Sequence, residues 1–202
     1  QEIVSLLSNF YNLGELPEKI PVFVDSPLAV NATEIFRMYV DLFNDDVKDV
    51  IEYDPDPFGF NSLTFIRDVN QSKALNARKE PCIIISASGM MEAGRVKHHI
   101  ANSIENPNNS ILAIGYCAPT TLGAKLLAKP KPLTVSIFGM EHSVNADIYE
   151  IDAFSGHGDY KEMINYLSCQ DPSKIKKTFI VHGDPEAQQF YKRQLRKEGW
   201  DN

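Results

Sequence analysis

A chain of 202 residues, 43% of them apolar, is long enough to bury a core as one large domain or two modest ones. Its formal net charge of −7 argues against binding of nucleic acid through whole-molecule attraction, while a local basic groove is compatible with it, so the charge neither proves nor excludes an RNA or DNA substrate. No apolar run approaches the roughly 18 residues of a membrane span, and three scattered cysteines without a Cys-x-x-Cys pair read as buried thiols of a soluble cytoplasmic protein.

The chain opens in helical spacing, with Ile3, Leu6, Leu7 and Phe10 on one face, and a start at Gln1 in mid-helix reads as a cut from something longer. Gly14 and Pro17 end that helix. Pro21–Asp25 is a short apolar strand, after which Ser26-Pro27 opens a helix to about Phe43, with proline where its missing N–H costs nothing. Asn44–Pro57 is acidic and proline-broken, a solvated loop or short helix. Leu63–Ile66 is a second strand and Asn70–Ala77 a short helix. Pro81–Ser86 is the strongest strand, an unbroken β-branched run of the kind buried on both faces of a parallel sheet. A small-residue turn, Ala87–Arg95, leads into a helix to about Ser103; Ser110–Tyr116 is another strand, with a helix near Ala124–Ala128. Strands alternating with helices predict an α/β domain with a Rossmann-like, mainly parallel sheet.

Lys129-Pro-Lys-Pro132 breaks that rhythm and predicts a domain boundary, giving residues 1–130 and 131–202. Two strand-like runs follow, Leu133–Phe138 and Val144–Ile151, joined by Gly139–Ser143 as an antiparallel hairpin with His142 exposed in its turn. A helix over Tyr160–Leu167, a strand over Lys177–Val181 and a helix over Glu186–Glu198 complete the chain.

Two stretches carry the chemistry. Ala153-Phe-Ser-Gly-His-Gly-Asp-Tyr160 and Phe179-Ile-Val-His-Gly-Asp-Pro185 each set a histidine beside glycine at a predicted strand end, just before an acidic helix cap. An imidazole so placed can ligate a metal or shuttle a proton, and the residues alone leave both roles open for His157 and His182. Asp159 and Asp184 read as N-caps. The turns after Asp25, Ser86 and Ser155 set Ser and Gly at helix N-termini, where backbone N–H groups and the helix dipole favour phosphate. Arg95 suits a phosphate or a structural ion pair equally. His98 and His99 are adjacent, so they cannot share one site, and read as packing or surface residues.

Four motifs resemble, in order and spacing, the β-CASP branch of the metallo-β-lactamase superfamily, a branch of RNA-processing nucleases. They are Ser88-Gly-Met-Met-x-x-Gly-Arg95 with His98-His99, Gly115-Tyr-Cys-Ala-Pro-Thr-Thr-Leu-Gly123, Phe154-Ser-Gly-His-Gly-Asp159 and Val181-His-Gly-Asp-Pro185. Asp25-Ser-Pro-Leu-Ala29 and Gln1-Glu2 are similar to further segments of that family.

The resemblance implies a β-CASP domain over residues 1–130, followed by the returning part of an αββα metallo-β-lactamase domain over 131–202. It implies a two-zinc site in the parent fold, with His182 a zinc ligand and His157 a proton donor in contact with the scissile phosphate. Asp25, Ser26, Ser86, Ser88, Gly89, Ser155 and Gly156 would line the phosphate path of a single-stranded RNA. The sequence departs from the family's pattern in lacking His-x-His-x-Asp-His, so the chain alone is expected to hold no complete metal pair and to be inactive. Thr120 also replaces a frequent glycine. A catalytically inactive RNA-binding or scaffold relative is the alternative, and oligomeric state, a homodimer included, is left open.

Overall fold

The computed structural model describes every residue except Glu18, Lys19, Tyr53, Ser155, Asp201 and Asn202, together with the side chain of Asp46. It divides into two compact units, Gln1–Phe154 and Ser155–Asn202.

In the first unit the β-branched, apolar runs form parallel strands. β1 (Val22–Asp25) lies between β2 (Leu63–Phe65) and β3 (Ile83–Ser86), with Val22 opposite both Leu63 and Ile83, and Asp25 opposite Ser86. β3 stands at the end of this sheet, so its four residues are half-buried rather than enclosed on both faces as expected. Helix α1 (Glu2–Asn12) places Val4 in a small core with Val24 and Phe58. Helix α2 (Pro27–Met38) stops five residues short of the predicted end, because Tyr39 leaves helical geometry (φ −122°, ψ 45°), and a 3-10 turn follows at Val40–Leu42. Asn44 caps helix α3 (Asp45–Ile51), and Asp68 caps helix α4 (Val69–Asn76).

The larger core lies under helices α5 (Arg95–Ser103) and α6 (Leu122–Leu127), where Ile100, Ile104, Leu126, Ile137 and Ala146 are buried together. Strand β4 (Ser110–Ile114) contributes Ile111 and Ala113 to it.

The predicted hairpin is corrected. β5 (Thr134–Ile137) pairs antiparallel with β6 (Met140–Ser143), the stretch read as the turn, across Phe138 and Gly139 alone. Both turn residues have positive φ (53° and 78°), the two-residue geometry that follows the twist of paired strands. The run Val144–Ile151 is then interrupted, since the N–H groups of Asn145 and Ala146 both donate to the Ile104 carbonyl. Its remainder, β7 (Asp147–Ile151), pairs parallel with β4, Ile114 opposite Ile151. His142 therefore sits on a strand with both ring nitrogens buried; Nδ1 stands 3.4 Å from Glu105 Oε1 but off the line of a hydrogen bond.

The second unit pairs helices α7 (Tyr160–Leu167) and α8 (Pro185–Lys197), with Tyr160 and Phe190 in edge contact at 5.1 Å. Leu195 is the one buried hydrophobic residue among those described there. The predicted strand Lys177–Val181 joins no ladder among the described residues, and Phe179 within it is 78% exposed.

The cysteines are free, but the expectation of burial fails for exposed Cys169, while Cys82 and Cys117 are half-buried. Burial pushes both of those thiols up, which favours the protonated form. Among the described residues no helix is long and apolar enough to cross a membrane.

Candidate functional site

The carboxyl ends of the parallel strands gather the polar residues of the first unit. β1 delivers Asp25 into the interior at 0% exposure. There Ser72 Oγ donates to its Oδ2 at 2.5 Å and Arg95 Nη1 to its Oδ1 at 2.5 Å, while His99 Nε2 lies 2.6 Å from Oδ2. His99 Nδ1 is in turn 2.7 Å from Asn76 Oδ1, and Arg95 also donates to the carbonyls of Ile66 and Arg67. Burial alone would raise the Asp25 carboxyl; the hydrogen bonds of Ser72, His99 and Arg95 outweigh it and hold the group below the usual carboxylate range.

Asp25 thus presents its oxygens to protein donors and not to a ligand. Arg95 resolves as a structural ion pair. His99 is the packed member of the histidine pair, whereas exposed His98 lies over Phe138, ring centroids 4.6 Å apart. Ser72, Asn76 and His99 escape a reading by motif. A signal was nonetheless present, because Arg95 and His99 are four residues apart on one helix face and meet an aspartate that ends a buried strand.

Around this anchor stand the serines and glycines of the expected phosphate path. Ser26 Oγ accepts from Ala29 N–H and caps α2; Ser86 Oγ donates to the Asp25 carbonyl at 2.9 Å. Ser88 is half-buried and Gly89 exposed, in the turn that precedes α5. Gly94 closes that turn at φ 81°, and a Cβ there would lie 2.7 Å from the Ala87 carbonyl oxygen, so only glycine lets α5 start this close.

The turn is joined to the loop after β4. Gly123 N–H donates to the Met90 carbonyl at 3.1 Å, Cys117 Sγ lies 3.6 Å from the Gly89 carbonyl, and Glu92 Oε1 accepts from Leu122 N–H. On the other side Gly115 N–H donates to the Ile151 carbonyl at 2.9 Å, which ties that loop to the end of β7. Thr121 caps α6, leaving Thr120 in the loop before it.

The second unit carries both histidines of the glycine-flanked motifs. His157 is exposed on the loop before α7 and lines a groove of about 620 Å³ with Gly156, Gly158, Glu162, Met163 and Tyr166. Asp159 caps α7 in a full capping box: its carboxylate accepts from Lys161 and Glu162 N–H at 2.8 Å, and Glu162 Oε2 accepts from Asp159 N–H at 2.8 Å. His182 is exposed with φ 68° and precedes Gly183 at φ 86°, two consecutive left-handed residues. Gln188 Nε2 holds this turn by donating to the carbonyls of His182 and Gly183 at 2.9 and 3.0 Å. Asp184 is the N-cap of α8 but its side chain makes no cap hydrogen bond there. Ser155 lies outside the described residues.

Among the described residues no three His, Cys, Asp or Glu side chains are grouped to hold a metal ion. A zinc pair needs three or four protein ligands per ion. The described residues do not fit such a pair by themselves.

Residues 1–126 match the family model described as the Beta-Casp domain, and residues 141–202 match that of the Zn-dependent metallo-hydrolase RNA specificity domain. Similar curated proteins include Ribonuclease TTHA0252 of Thermus thermophilus, 29% identical over 92% of this chain and 41% of its own length. The RNase J-like protein of Methanocaldococcus jannaschii is 30% identical over 91% of this chain and 40% of its own. Cleavage and polyadenylation specificity factor 73 of Drosophila melanogaster is 24% identical over 98% of this chain and 28% of its own. The chain therefore spans about two fifths or less of the length of these relatives. With the first family model covering more than half of its residues, in the parallel α/β architecture described above, the chain belongs to the Beta-Casp family.

Proposed function

We propose that this chain is the RNA-binding and phosphate-contacting portion of a zinc-dependent ribonuclease that hydrolyses phosphodiester bonds of single-stranded RNA in cytoplasmic processing or decay. The observation that carries the reading is the pair of exposed, glycine-flanked histidines, each two residues before a helix cap in a segment that matches an RNA specificity domain. The relatives named as ribonuclease and RNase J-like support the reaction class. Unpaired strands suit such a site because their bases can be splayed away from the backbone being cut.

In this reading the Beta-Casp part runs to about residue 130, and residues 131–202 belong to the hydrolase part. His157 gives its proton to the leaving oxygen, a contribution of typically 10²–10⁴-fold for a positioned acid. His182 is one metal ligand, held in place by its left-handed turn and by Gln188. The other ligands would have to come from outside these 202 residues, so the chain alone binds RNA without cutting it. Ser26, Ser86, Ser88, Gly89, Ser155 and Gly156 offer the phosphate contacts, with Asp25 holding Ser86 through its main-chain carbonyl. Free thiols at all three cysteines support a reducing compartment. The exposed apolar side chains Leu28, Ile35 and Met38 on α2 support association of two copies.

The test is made in a full-length protein that carries this chain. His157→Ala should lower cleavage of single-stranded RNA about 10²–10⁴-fold with little change in RNA affinity, and His182→Ala should lower bound zinc as well as cleavage. Undiminished zinc and activity in His182→Ala would reject the ligand assignment. RNA binding without cleavage by the unmutated full-length protein would identify an inactive RNA-binding or scaffold relative.

A further inference from the structure

We infer that Tyr116, with Met90 and Phe154 on the adjoining strand-end loops, forms a platform on which nucleobases of single-stranded RNA stack. The inference rests on the RNA reading above and adds to it a contact that recognises bases rather than phosphates.

The three side chains occupy the loops that follow β3, β4 and β7. Those loops are held near one another: Cys117 Sγ lies 3.6 Å from the Gly89 carbonyl, Gly123 N–H at the start of α6 donates to the Met90 carbonyl, Gly115 N–H donates to the carbonyl of Ile151 at the end of β7, and a Cβ on Gly115 would stand 3.8 Å from the Ala153 carbonyl oxygen. Within this set Tyr116 is 62% exposed, Met90 42% and Phe154 41%. Their neighbours Met91 and Leu122 are buried in the core. The loops therefore sort their large apolar residues into an inner set that packs and an outer set that faces solvent. Large exposed apolar side chains on neighbouring loops are candidates for a binding surface. The backbone agrees, since Phe154 is held at φ 61°, a conformation costly for a residue with a side chain and one that recurs at ligand sites.

Position and charge select the occupant. Ligands of parallel α/β sheets lie at the carboxyl ends of the strands, and Met90 directly follows Gly89 of the proposed phosphate path. A chain with a net charge of −7 gains little from long-range attraction to a polyanion, and contacts insensitive to charge add affinity that such attraction does not supply. Base–aromatic stacking does this, and it tolerates sequence because every base has a π-face.

Fluorescence anisotropy with the full 202-residue chain tests the inference, using a labelled oligouridylate and an abasic ribose-phosphate strand of the same length. Tyr116→Ala should weaken oligouridylate binding about five- to a hundredfold, and Tyr116→Phe, which keeps the ring, should stay within about twofold of the parent. The abasic strand should bind the parent and Tyr116→Ala alike. Circular dichroism of each variant checks that the fold is kept. Equal binding of oligouridylate by the parent and Tyr116→Ala, or equal binding of the two strands by the parent, would overturn the platform while leaving the RNA reading intact. No binding of either strand by the parent would overturn both.

Discussion

Arg95 Nη1 and Asp25 Oδ1 meet at 2.5 Å inside the protein, an ion pair between residues 70 apart in sequence that fastens the end of β1 to the start of α5. The carboxylate is fully enclosed and the guanidinium largely so. Two neutral partners, Ser72 and Asn76, complete the hydrogen bonding through Asp25 and His99. Such a pair is worth little against an apolar replacement of the same shape, yet removal of one member leaves the other buried and uncompensated.

Asp25→Asn should accordingly destabilise the first unit by about 3 kcal/mol, the lower part of the range for breaking buried pairs because Arg95 keeps some contact with water. Urea unfolding followed by near-ultraviolet circular dichroism measures it. A loss comparable to an exposed ion pair, below about 1 kcal/mol, would show that the network is not a stabilising anchor.

The same group sets an acid limit. Its folded pKa is depressed below the ordinary carboxylate value of 3.8, so its contribution is fully present above that value and is lost as pH falls through the folded one. The thermal midpoint of the parent should drop steeply below pH 3.8, and its advantage over Asp25→Asn should narrow in the same window. Asp171 is also depressed, by hydrogen bonds from Ser173, but it is exposed and common to both proteins. A gap between parent and variant that stays constant from neutral pH down to pH 2 would contradict this assignment.

His182 should be replaceable by glycine without loss of stability. A left-handed residue with a Cβ carries a cost of roughly 1–2 kcal/mol that glycine avoids, and this offsets the extra chain entropy that glycine brings. His182→Gly should therefore unfold within about 1 kcal/mol of the parent, whereas Gln188→Ala, which frees the two carbonyls, should cost about that much. Clear destabilisation by His182→Gly would mean that the imidazole is a packing group.

The acidic cap of α7 should be measurable. Asp159→Ala removes a reciprocal capping box and should lower amide protection in α7 by about 1 kcal/mol. Unchanged hydrogen exchange in α7 would refute the role of the box.

The parallel strands β1, β3 and β4 were legible because β-branched runs bounded by turns admit few other conformations. The β5–β6 hairpin was misplaced because Met140–Ser143 lacks an apolar alternation, and its pairing is decided by the left-handed turn at Phe138-Gly139. Lys177–Val181 has the composition of a strand, but composition cannot say which neighbour pairs with it, and none does among the described residues. His157 and His182 are singled out by their glycines, and the structure leaves both exposed on the loops before α7 and α8. The Asp25 network was not legible, because Ser72, Asn76 and His99 come together only once α4 and α5 pack over the end of β1.

In the proposed reading this chain supplies the RNA-contacting part of a hydrolytic site and not the whole of it. The most direct measurement incubates the 202-residue chain, with and without added zinc, with a labelled single-stranded RNA and follows binding and cleavage together. Saturable binding with intact RNA is expected in both conditions. Cleavage by the chain alone, lost in His157→Ala, would contradict that reading.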